Sequence, residues 1–224
     1  MQRTFSRWIR PLIGTLIAVL AIAAVACGGG SDGGSGQLAP NQELRLRIAA
    51  GPATFDPQLA IDAHEISVAK QLFRGLFTYD EDLNVVPAVA AELPAKENGG
   101  ISADGLTYTI ALRPDATWSD GRPVTAGDFV YAFQRLFDPA AGAQGYYYQF
   151  YTAIEGAEAF ANDVGGAANA IGVTAIDDAT LQITLTHEQP TLPTLLALWP
   201  ASPLRQDVIE QYGDAWTEPG HLVG

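Results

Sequence analysis

A mixed α/β fold is predicted by three features of the chain. Residues 106–112 alternate apolar and polar positions with the period of a strand. Residues 126–137 carry Phe129, Val130, Phe133, Leu136 and Phe137 at helical spacing. The β-branched runs 173–176 and 180–186 flank Asp177-Asp178-Ala179 as a hairpin. In order, the elements run strand, helix, strands, helix, hairpin, helices, an α/β succession without internal repeats.

The first element is a strand over residues 43–49, where Leu44, Leu46 and Ile48 alternate with Arg45 and Arg47. Gly51-Pro52 stops it, and Asp56-Pro57 makes a turn. Residues 61–73 follow as a helix with Ile66, Ala69 and Phe73 on one stripe, closed by Gly75. Residues 76–79 are a short strand, residues 80–84 a turn, and Val85-Val86 the return strand. The acids of that turn match a calcium loop at three positions. Val85, however, stands where the loop needs Gly, and Ala91 where it needs a bidentate Glu, so a solvated hairpin turn is expected.

In the strand 106–112, Tyr108, Ile110 and Leu112 share one side, and Thr107 and Thr109 the other. Arg113-Pro114-Asp115 ends it, residues 116–119 form a second extended piece, and Asp120-Gly121 turns the chain. Thr125 and Asp128 have capping-box spacing, Thr125 as the cap and Asp128 reaching back. The helix 126–137 stops at Asp138-Pro139, and its aromatic stripe is core. Two more helices follow, residues 191–199 entered through Pro190 and residues 206–212 closed by Gly213.

The N-terminus has a different character. Arg3, Arg7 and Arg10 precede an uncharged apolar stretch over residues 12–26 that ends in small residues. This is the pattern of a secretory signal, and it is shorter than the roughly 20 apolar residues a membrane span needs. Cys27, the single cysteine, follows at once, and Ala24-Val25-Ala26-Cys27 resembles the lipobox of bacterial lipoproteins. The expected processing removes residues 1–26 and lipidates Cys27; an ordinary signal peptide cut near Ala26 is the competing reading. Residues 27–40 form a Gly/Ser-rich linker. It contains G-x-G-x-x-G and G-x-S-x-G strings, but neither the strand nor the helix that would give them chemistry.

Of the 12 Lys and Arg residues, three lie in the signal; the nine that remain face 25 Asp and Glu, a balance of −16. Such a surface repels phosphate backbones and excludes nucleic-acid binding. One cysteine excludes an internal disulfide, so stability must come from a packed core. His64, His187 and His221 show no metal-ligand spacing, and no Ser-His-Asp order or metalloprotease helix is present. No metal, no cofactor and no enzymatic activity are expected.

From about Phe55 to its last residue, the chain resembles the extracytoplasmic solute-binding proteins of family 5, which feed oligopeptides and dipeptides to ABC importers. The densest match is Trp118-Ser119-Asp120-Gly121-Arg122-Pro123-Val124-Thr125-Ala126-Gly127-Asp128-Phe129-Val130, against the family's W-S-D-G-x-P-V-T-A-x-D-F-V. Phe55-Asp56-Pro57, Leu72-Phe73-Arg74-Gly75-Leu76 and Gly213-Asp214-Ala215-Trp216-Thr217 are similar to its L-D-P, L-F-E-G-L and G-D-x-W-T segments. The hairpin from Gly172 to Leu185 is similar to its G-V-K-A-x-D-D-x-T-L.

The resemblance implies a periplasmic-binding-protein type II-like fold that closes on its ligand like a hinge. Residues 41–75 and 204–224 would be parts of the first lobe, and residues 76–203 an inserted subdomain. Relatives continue with an N-G-x-Y segment and a second lobe, so an N-terminal fragment is expected. The signature string identifies the fold without containing the ligand site.

The resemblance also nominates ligand contacts. Ile61-Asp62-Ala63-His64 aligns with a segment that touches ligand backbone, which makes Asp62 and Ala63 candidates. Gly145-Tyr146-Tyr147-Tyr148 aligns with a tyrosine-bearing segment, which adds Tyr146, Tyr147 and Tyr148. The implied function is a monomeric substrate-binding lipoprotein that captures peptides for an ABC permease and its ATPase. It would be lipid-anchored at the outer face of the cytoplasmic membrane. Binding of another solute, such as an oligosaccharide or a nickel chelate, is the alternative, and an extracytoplasmic hydrolase a more distant one.

Overall fold

Helix α1 (Ala63–Leu72) begins two residues later and ends one earlier than the expected 61–73. Asp62 is its N-cap, in extended conformation, and forms a capping box with Glu65; Phe73 leaves the helix with extended backbone. The computed structural model describes residues 47–48, 50–141, 147–162 and 166–224. The signal, Cys27, the linker and most of the expected strand 43–49 lie outside them. No helix of the described residues is long and apolar enough to cross a membrane.

Strands β1 (Phe77–Tyr79) and β2 (Val85–Pro87) pair antiparallel, Tyr79 opposite Val85. In the turn between them the Asp80 carboxylate accepts from the N–H groups of Asp82 and Asn84, so its acids serve the hairpin as expected. Strand β3 (Thr107–Ala111) buries Tyr108 and Ile110.

Helix α2 (Ala126–Phe137) spans the expected residues. Asp128 accepts from the Thr125 N–H at 2.8 Å, and Asp138 before Pro139 ends the helix in extended conformation. The short helix α3 (Ala157–Ala161) had no clear periodicity in the sequence.

Strands β4 (Val173–Asp177) and β5 (Thr180–Thr184) form the expected hairpin. β5 also pairs antiparallel with β3, Tyr108 opposite Ile183, which gives the order β3-β5-β4. The helix expected over 191–199 is instead α4 (Leu192–Leu195) followed by a separate 3-10 turn, Trp199–Ala201. Leu198 between them is extended (ψ 152°), and Pro200 has no N–H to donate back to the Leu196 carbonyl, so one continuous helix cannot run through it. Helix α5 (Gln206–Tyr212) ends at Gly213, as expected.

The described residues from Ile48 onward make one compact unit, with two apolar clusters inside it. The first joins the sheet to α2: Tyr108, Ile110, Val173, Leu181 and Ile183 meet Phe129, Phe133, Leu136 and Phe137. Each large side chain fully buried there contributes about 1.5–3 kcal/mol. The second contains Phe73, Trp118, Ala132, Leu204, Val208 and Trp216. The signature string therefore serves both, because Phe129 enters the first and Trp118 the second.

Its turn is also tied down by charge. Arg205, 5% exposed at the side chain, lies 2.7 Å from Asp120 and binds both oxygens of Asp207 at 2.8 Å. Arg122 reaches Asp207 at 2.7 Å, and the Arg205 guanidinium lies 5.9 Å from the centre of the Trp118 ring.

Candidate functional site

The chain leading into α1 is fixed from three sides. Asp56, 2% exposed, accepts from the Gln58 N–H at 2.9 Å and forms an ion pair with Arg135 of α2 at 2.6 Å. Arg135 also donates to the Gln58 side chain at 2.7 Å, and Gln58 donates to the Ala132 carbonyl at 2.6 Å. A turn and two side chains thus fasten the segment before residue 60 to α2. Glu65 then gathers the N–H groups of Ala53, Ile61 and Asp62 at 3.0–3.2 Å. Those bonds hold its carboxyl below the usual range, the Asp62 and Ile61 amides most strongly.

This frame leaves Ile61, Asp62 and Ala63 exposed at the mouth of α1. Asp62 is placed by capping: its backbone N–H goes to Glu65 and its side chain closes the capping box. Asp62, His64 and Glu65 bring potential metal-ligand atoms within 4.8 Å of one another. Both Glu65 oxygens already accept backbone N–H groups, so the trio fits a helix cap better than a cation site.

The tyrosine segment is fixed separately. Tyr148 opens a 3-10 turn, Tyr148–Tyr151, whose last residue is fully buried and donates its hydroxyl to the Leu195 carbonyl at 2.9 Å. Burial pushes the Tyr151 hydroxyl pKa far up, so it stays a neutral donor. Tyr147 and Tyr148 are half-buried, and Tyr146 lies outside the described residues.

Trp199, which the sequence reading absorbed into a helix, joins the two segments. Its indole N–H donates to the Ala60 carbonyl at 3.1 Å, and its ring meets Tyr147 edge-on at 4.8 Å. Tyr147 in turn packs against Phe150 at 5.8 Å, and Phe150 is 44% exposed. Residues some ninety positions apart in the chain are thus brought to one aromatic junction. A Trp-Pro pair in an apolar run carries no signal for this role; only the tertiary contact reveals it.

The surface so formed offers apolar and aromatic faces together with backbone groups at the start of a helix. A groove of about 550 Å³ lies between α2 and α5, lined by Tyr131, Arg135, Gln206 and Trp216 among others. None of the described candidate residues lines it.

Comparison with known proteins gives a consistent picture. Residues 84–224 match the family model described as bacterial extracellular solute-binding proteins, family 5 Middle. The chain is 37% identical over 187 residues to the periplasmic murein peptide-binding protein MppA of Escherichia coli, covering 84% of this chain and 33% of that protein. It is 36% identical over 189 residues to the probable deoxycholate-binding periplasmic protein YgiS of Escherichia coli, covering 83% and 34%. It is similar to the crystal structure of Haemophilus influenzae OppA in complex with RPPGFSPFR (37% identity, TM-score 0.71, 78% of this chain and 33% of that one). The chain spans about a third of the length of these relatives. The structural likeness refines the α/β class to the periplasmic-binding-protein type II-like fold.

Proposed function

We propose, from the premise that the chain belongs to family 5 of the bacterial extracellular solute-binding proteins, that the protein captures peptides outside the cytoplasm and delivers them to an ABC permease and its ATPase. The observation that carries this reading is the Trp199 junction. Trp199 bonds the Ala60 carbonyl, next to exposed residues 61–63, and packs against Tyr147, which meets Phe150; this supports a surface suited to extended backbone and apolar side chains. Asp62, Ala63, Tyr146, Tyr147 and Tyr148 are the proposed ligand contacts. The protein binds its ligand as a monomer, without a cofactor and without turning it over.

In this reading residues 41–75 and 204–224 belong to the first lobe and residues 76–203 to an inserted subdomain. The division is supported by the two apolar clusters. The first draws only on residues 76–201. The second joins Phe73, Leu204, Val208 and Trp216 to Trp118 and Ala132. Residues 1–26 are the signal and residues 27–40 the spacer. Cys27 carries a lipid that keeps the protein at the outer face of the cytoplasmic membrane, within reach of the permease.

Calorimetry of the full-length protein tests the ligand. Trialanine and RPPGFSPFR are expected to bind with a Kd of about 1 μM or tighter, near −8 kcal/mol. Maltotriose, a nickel-histidine complex and deoxycholate are expected to give no heat. Binding of one of these three without any peptide binding would sink the peptide reading, and peptide cleavage would replace it with a hydrolase. Globomycin is expected to block removal of residues 1–26 in the wild type, and Cys27→Ala to abolish the same processing; normal processing in both cases would contradict lipidation.

A further inference from the structure

Two carboxylates are buried among the described residues, and their surroundings differ. Asp56 faces a cation, Arg135, at 2.6 Å. Among the described residues, the hydrogen bonds to Glu65, 3% exposed, all come from backbone N–H groups. Its Oε1 accepts from the Ala53 N–H at 3.1 Å. Its Oε2 accepts from the N–H groups of Ile61 at 3.0 Å and Asp62 at 3.2 Å. Two of the three donors lie in the exposed segment where ligand contacts are proposed.

We infer that Glu65 is the positioning residue of that segment, fixing which backbone groups of residues 60–63 face a ligand; this rests on the peptide-binding reading above. The carboxylate turns the Ile61 and Asp62 amides inward. The Trp199 indole takes the Ala60 carbonyl from the other side. The Asp62 carbonyl is committed to the Ile66 N–H at 2.9 Å within α1. Among the described residues, the Ile61 carbonyl and the Ala63 amide are then the groups of this stretch left to meet an extended ligand, one acceptor and one donor. A Glu is needed for this arrangement because three N–H groups converge on two oxygens. Gln would present an NH₂ to at least one of them, donor against donor. Only an acceptor at both positions holds the Ala53 loop and the start of α1 together.

The test is Glu65→Gln in the full-length protein, with Glu65→Asp as the conservative partner. Two readouts are taken under conditions where each variant stays folded. In Glu65→Gln, hydrogen exchange at the Ala53, Ile61 and Asp62 amides is expected to speed up by tenfold or more, while Tyr108, Ile110, Leu181 and Ile183 in the sheet keep their protection. Trialanine affinity is expected to fall at least tenfold, with partial recovery in Glu65→Asp. Loosened amides with affinity within twofold of wild type would overturn the inference and leave the peptide reading intact. A wild type that binds no peptide would remove the peptide reading, and with it the ligand role assigned to Glu65. Unchanged exchange at the three amides would overturn the positioning itself. Should Glu65→Gln fail to fold, Glu65→Asp carries the same two readouts with smaller changes expected: faster exchange at the three amides together with weaker trialanine binding supports the inference, and wild-type values for both overturn it.

Discussion

Arg135→Leu is expected to destabilise the protein by about 3–5 kcal/mol, the usual cost of leaving one member of a buried ion pair alone. Asp56 would keep the Gln58 N–H but lose its cation, at a site 2% exposed. Gln58 would lose the guanidinium that holds its side-chain oxygen at 2.7 Å. The double variant Asp56→Leu/Arg135→Leu is expected to regain much of that loss, because the desolvation of both charges disappears with them. Urea denaturation of the two variants measures the difference. A loss below about 1 kcal/mol in the single variant would mean that the pair does not hold the chain before α1 to α2.

Trp118→Ala is expected to cost about 3–5 kcal/mol, the range for removing a large aromatic from a core. The signature turn should loosen in the same variant, since Trp118 lies under Arg205 and beside Leu204, Val208 and Trp216. The charges around it make stability depend on acid. Hydrogen bonds from Arg205 hold the carboxyls of both Asp120 and Asp207 below the ordinary aspartate value of 3.8. Carboxyls depressed in the folded state contribute stability that is complete above the unfolded value and is lost as pH falls through the folded one. The wild type should therefore lose stability as pH drops below about 4. Arg205→Met should show a shallower loss over the same interval. Parallel curves for the two proteins would show that the network contributes nothing measurable.

Much of the architecture was legible because its signals are local. The 126–137 helix has a strong apolar stripe, a capping box at Thr125 and a Pro after its end, and its bounds came out as expected. The 173–184 hairpin and the 206–212 helix are marked by alternation and by Gly213 in the same way. The first helix is shorter than the expected 61–73. Asp62-Ala63-His64-Glu65 has capping-box spacing, a signal that would have set its start at Ala63. The apolar run 191–199 hides a break at Leu198, since Pro200 cannot continue the helical hydrogen-bond ladder.

What the sequence could not show is what depends on distant partners. Arg135 and Asp56 are 79 positions apart, and Trp199 and Ala60 are 139 apart. Trp118 and Phe129 share one signature string yet enter different clusters, which no periodicity within the string predicts. Asp62 and Tyr147 were nominated by resemblance alone. The structure adds a tryptophan, singled out by neither pattern nor spacing, that contacts both Tyr147 and Ala60, two residues before Asp62.

The central claim is that residues 61–63 and the Tyr147–Phe150 neighbourhood form one peptide-facing surface around Trp199. Amide and indole chemical-shift mapping of the full-length protein, titrated with trialanine, tests it most directly. The expected result is saturable perturbation of the Ala63 amide, the Trp199 indole N–H and the Tyr147 and Tyr148 amides, all with a single Kd. Perturbation centred instead on Tyr131, Arg135 and Trp216, with the Trp199 indole unmoved, would contradict it.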